Sequence, residues 1–108
     1  MMKIPSSLKI GGHDYKVLYP YHFKERCEIQ AQNDTALNEI RICDVDQCGN
    51  VRMDSCILVS FLHEIVHVID TVYCNRQIEN LGHEARERIV EGLSEGLYQV
   101  LHDNGLVF

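Results

Sequence analysis

The chain has 108 residues, 45% of them hydrophobic and 24% charged, which fits one domain with a modest core and leaves no room for a second. Ten Lys and Arg against sixteen Asp and Glu give a formal net charge of -6. That balance, without a basic cluster, argues against nucleic acid and anionic membrane as partners, and no uninterrupted apolar run approaches the ~18 residues that a span requires.

Met1 to Ile10 contains no apolar stretch followed by a cleavage site, so no secretory signal is expected. The five cysteines, Cys27, Cys43, Cys48, Cys56 and Cys74, are odd in number and irregularly spaced. They read as reduced thiols of a cytoplasmic protein rather than as a disulfide framework. Ser7 to Ile10 and Tyr15 to Tyr19 alternate partially and predict two strands, with hairpin-turn chemistry in Gly11-Gly12-His13-Asp14 between them. Pro20 ends the second strand. His22 to Gln30 is mixed and fits a short helix or a turn, and Asn33-Asp34 is a turn signal. Glu39 to Ile42 alternates again and predicts a half-buried strand, whose edge could accept an extended peptide. Asp44 to Asn50 reads as a loop. Cys43 and Cys48 flank its start, and a second metal site there is an alternative that no C-x-x-C pair supports.

The remainder predicts helices. Asp54 or Ser55 can cap a helix that starts near Cys56, which reads as a small buried hydrophobe, and ends near Tyr73. Leu58, Phe61, Leu62, Ile65, Val66, Ile69 and Val72 form its apolar stripe. Asn75 to Gly82 is a connection that can reverse the chain. A last helix runs from about His83 to His102, with Val90, Leu93, Leu97, Val100 and Leu101 as its stripe, and Asp103-Asn104-Gly105 stops it. Strands first and helices after predict an α+β fold: one domain over residues 1–108, with helices on one face of a small antiparallel sheet of about three strands.

His63-Glu64-Ile65-Val66-His67 is an H-E-x-x-H sequence inside the first helix. Four residues advance a helix by ~400°, so both imidazoles project from one face, one turn apart, and can meet one Zn²⁺. Glu64 points beside the metal, where it can act as general base on a water. The trio interrupts an apolar element, and buried polar groups there need partners. A catalytic zinc takes a third protein ligand. Glu91 is the expected one, with Glu95 one turn on as an outer carboxylate for a ligand histidine. Glu87 as ligand with Glu91 behind it is the alternative. Gly92 and Gly96, costly inside a helix, suggest close approach of another backbone. Glu84 reads as a solvated residue paired with a neighbouring arginine.

His63-Glu64-x-x-His67, followed by a helix bearing Val90-Glu91-Gly92-Leu93-Ser94-Glu95, resembles the gluzincin clan of zinc metallopeptidases. The short length resembles the minigluzincins. The whole chain is similar to small phage- or prophage-encoded proteins of this type, which often open like Ile10 to Val17 and close like Gly96 to Asn104. The resemblance implies a small sheet over an active-site helix, a glutamate helix, and in some members a latent state with a blocked cleft. It implies a peptidase that cleaves peptide bonds of a peptide or protein substrate with a zinc-activated water and Glu64 as base. The alternative is a zinc-binding regulatory or interaction protein with little hydrolysis. The chain departs from larger gluzincins in lacking their C-terminal subdomain, and no transition-state histidine or tyrosine is assigned. Tyr73, His83, Tyr98 and His102 are the candidates for such a donor, and Gly105 to Phe108 is a candidate cleft plug.

Overall fold

A computed structural model describes residues 3–24 and 29–106. The chain is α+β, as expected, but its sheet has four strands and is mixed. β1 (Ser7–Ile10) and β2 (His13–Leu18) form a tight antiparallel hairpin. Gly11 and Gly12 both have positive φ, +62° and +82°, as a two-residue turn matched to strand twist demands. β3 (Ala31–Asp34) and β4 (Glu39–Ile42) form the second hairpin. The order is β1-β2-β4-β3, and β2 and β4 run parallel. Glu39–Ile42 is therefore an interior strand, and the edge beside it is β3.

The Asn33-Asp34 turn signal lies at the end of β3. Asp34 Oδ1 accepts the backbone N–H groups of Ala36 and Leu37, both at 3.0 Å, so its turn chemistry operates just beyond the strand. The short helix or turn expected within His22 to Gln30 falls partly on residues 25–28, outside the described residues; the flanking residues are irregular.

α1 (Asp54–Tyr73) starts two residues earlier than expected, with Met53 at its N-cap and Asp54 in its first turn, where a negative charge is favourable. It lies on the sheet. Ile57, Phe61 and Val68 join Ile10, Tyr15, Val17, Ile40 and Ile42 in one buried cluster. Full burial of such side chains stabilises by roughly 1.5–3 kcal/mol each. By length and mean hydropathy α1 also has the make-up of a membrane span, although it carries His63, Glu64, His67 and Asp70 and buries its apolar side chains against the sheet and α2. Ile69 is exposed, and so is Cys56, contrary to the sequence reading.

A 3₁₀ turn (Glu79–Leu81) leads into α2 (His83–Asp103). α2 ends as its sequence suggests: the N–H of Leu106 donates to Leu101 O and that of Gly105 to His102 O, with Gly105 at φ +65°. Its packing differs from expectation. α2 contacts α1 and the 3₁₀ turn but not the sheet among the described residues, so the layers run sheet, α1, α2. Only Val90 and Ser94 of α2 are buried, while Leu93, Leu97 and Val100 are exposed. Gly92 and Gly96 admit no close backbone: a side-chain atom built at either meets nothing within 4 Å. The face of α2 that meets α1 is that of Val90 and Ser94.

Candidate metal centre

α1 places His63 and His67 one turn apart, with their Nε2 atoms 3.1 Å from each other. The rings stand edge to face at 4.8 Å between centroids. α2 brings Glu87 to them, its Oε2 3.6 Å from His63 Nε2. One ligand atom from each of the three lies within 4.8 Å of the others, a grouping that could hold a metal ion. Glu91, one turn further along α2, is exposed and stands outside this group, as does Glu95. Both line the cleft beside it with His63 and Glu64.

Glu64 is only 6% exposed. Asn33 Nδ2 on the edge strand donates to its Oε1 at 2.7 Å. Burial is the strongest influence on this carboxyl and raises its pKa above the ordinary range; the Asn33 donation and nearby His63 pull the other way, and Glu87 adds to the rise. Glu64 lines both lobes of the cleft, of about 360 and 390 Å³. Ala31 of β3 also reaches both, so the open side of the sheet borders the cleft.

Around the trio lies a second layer that sequence reading missed. Glu79 Oε2 is 3.9 Å from His67 Nδ1, its nearest carboxylate. Arg86 Nη1 donates to Glu79 Oε1 at 3.1 Å, and Arg86 Nε lies 3.5 Å from Glu87 Oε1. Asp70, 2% exposed and one turn past His67, holds this arrangement in place. Its Oδ1 accepts Ile78 N–H at 3.0 Å and its Oδ2 accepts Glu79 N–H at 2.9 Å. The connection needs this fastening because Asn75 and Arg76 both take positive φ, uncommon for residues other than glycine. A carboxylate in the last turn of the helix, three residues after His67 and on an otherwise apolar stretch, was the signal available in the sequence.

The carboxylate that stands nearest the outer ring nitrogen of His67 is thus Glu79 and not the expected Glu95. Tyr73, His83, Tyr98 and His102 do not line either lobe. Tyr73 is exposed, His83 is bonded to Arg86, and Tyr98 stacks on His102. The cations on the cleft wall are Arg76 and Arg86. Glu84 pairs with Arg88 at 3.6 Å, both well exposed, as expected. Of the candidate plug, Leu106 is exposed and residues 107–108 lie outside the described residues. No family model, curated protein or solved structure matches this chain.

Proposed function

We propose that this chain is a zinc-dependent peptidase of the gluzincin type. The observation that carries the reading is a buried glutamate, Glu64, beside two histidines one turn apart on α1 and a third ligand, the carboxylate of Glu87, from α2. Two imidazoles and one carboxylate, with room left in the cleft, are the donor set of a catalytic zinc. His63, His67 and Glu87 would hold the ion, which when bound supplies a Lewis acid that polarises a carbonyl and acidifies water. Glu64 acts as general base, taking a proton from the attacking water and passing it to the leaving amine. Asn33 fixes Oε1 of that base, so its orientation does not depend on α1 alone. Glu79, 3.9 Å from His67 Nδ1, is the carboxylate placed to orient that ring and fix its tautomer once the gap closes on metal binding. The substrate is an extended peptide laid along β3, whose outer edge is unpaired among the described residues and borders the cleft.

A second reading is a zinc-holding regulatory or interaction protein. It is favoured by the lack, among the described residues, of a tyrosine or of a histidine other than His63 and His67 on the cleft wall. One experiment separates the readings. Metal content is measured on wild type and His67→Ala purified without chelator, and cleavage of an unfolded protein such as casein on wild type and Glu64→Gln. A peptidase gives about one zinc at this site, lost in His67→Ala, and cleavage that falls ~10²–10⁴-fold in Glu64→Gln. Zinc without cleavage supports the regulatory reading, and no zinc uptake removes both.

A further inference from the structure

A second group of ligands differs from the cleft trio in composition and shares no residue with it. We infer that His22, Cys43 and Asp44 form a separate site for a thiophilic divalent cation such as Zn²⁺. One ligand atom from each of the three lies within 4.8 Å of the others. His22 Nε2 and Asp44 Oδ1 are already 2.9 Å apart. Neighbouring ligands on a tetrahedral zinc are about 3.5 Å apart, given Zn–N near 2.0 and Zn–S near 2.3 Å. The exposed His22 side chain can supply the remaining adjustment.

The backbone that presents these groups is held from several sides. Tyr21 N–H donates to Ile42 O at 2.8 Å, fastening the residue before His22 to the end of β4. Cys43 N–H donates to Gln30 O at 2.9 Å. The buried Arg52 donates to Cys43 O at 2.7 Å through its side chain and to Asp44 O at 2.9 Å through its backbone. Cys43 is 6% exposed, so its sulfur sits at the floor of the group and His22 and Asp44 at the rim. Imidazole, thiolate and carboxylate from three residues make a donor set of the kind that zinc prefers over calcium or magnesium. Binding converts the Cys43 thiol to a thiolate and releases its proton to solvent. Of the two loop cysteines, Cys43 belongs to this group with His22; Cys48 is exposed, its backbone N–H is taken by Asp46, and it stands outside the group.

The site would tie residue 22 to residues 43 and 44, closing at its base the stretch that contains β3. That stretch delivers Ala31 and Asn33 to the cleft. The site shares no residue with His63, His67 and Glu87, so it stands or falls independently of the peptidase reading.

Cobalt gives the test. The cleft trio contains no sulfur, so any thiolate-to-Co²⁺ charge-transfer absorption must come from a cysteine site. The full chain, kept reduced with a phosphine, is titrated with Co²⁺ as wild type, His67→Ala, Cys43→Ser and His22→Ala. The expected result is a near-ultraviolet charge-transfer band in wild type that persists in His67→Ala and is lost in Cys43→Ser. In His22→Ala, which truncates an exposed side chain, the band should require at least ~10-fold more cobalt. In the His67→Ala background, Zn²⁺ should raise the unfolding temperature. Absence of the band in wild type, its survival in Cys43→Ser, or an unchanged titration in His22→Ala would each overturn the site.

Discussion

The two helices are nearly equal in length, 20 and 21 residues, yet α1 buries eight side chains and α2 buries two. Each carries an apolar stripe at helical spacing. The difference lies in what stands opposite. α1 is covered by the sheet on one side and α2 on the other, so residues around most of its circumference lose solvent. α2 has α1 on one side only, and its Leu93, Leu97 and Val100 stay exposed. A stripe specifies a helix, but a second layer decides whether the stripe becomes core. The same contrast governs the chemistry. Glu64 and Asp70 on α1 are enclosed, so each needs a hydrogen-bond partner and has one. Glu91 and Glu95 on α2 sit in water at the cleft margin.

The contrast can be broken by mutation. Phe61→Ala in α1 should destabilise by about 3–5 kcal/mol in denaturant unfolding, because the surrounding cluster cannot close over the gap. In zinc titrations against a chelator, Glu87→Ala should weaken binding by more than the ~100-fold that an outer-shell change costs, and Glu91→Ala by less. The reverse order would make Glu91 the ligand. Glu79→Gln should cost about 10–100-fold in zinc affinity while leaving the metal-free melting temperature near wild type. Smallest of all, Leu97→Ala should shift stability by within about 0.5 kcal/mol. A larger loss would mean that this exposed part of α2 is covered in solution.

Much of this was legible in the residues. β1, β4 and α2 lie within a residue of their expected bounds, and the H-E-x-x-H pair falls in mid-helix. The acidic face of α2 was also readable, since Glu87, Glu91 and Glu95 repeat every four residues. Their height along α1 was not. It depends on the turn after Tyr73, where Asp70 and two left-handed residues fix how far α2 advances before Glu87 meets the histidines. A shift of one turn exchanges Glu91 for Glu87 without changing the face. β3 was hidden for another reason. Asn33 and Asp34 have turn propensities, and pairing with β4 overrides them. The parallel joint between β2 and β4 could not be read locally at all, because it depends on the path of the intervening chain.

That joint has a kinetic consequence. Each hairpin pairs residues close in sequence, whereas β2 and β4 pair Val17 with Ile40. The chain between them must be ordered before their hydrogen bonds return any free energy. Sequence separation therefore predicts that each hairpin forms before the seam that joins them. Val17→Ala should then speed unfolding and leave the refolding rate almost unchanged, which a stopped-flow chevron would record. On this expectation the edge strand beside the cleft is paired within its hairpin before the sheet has a middle.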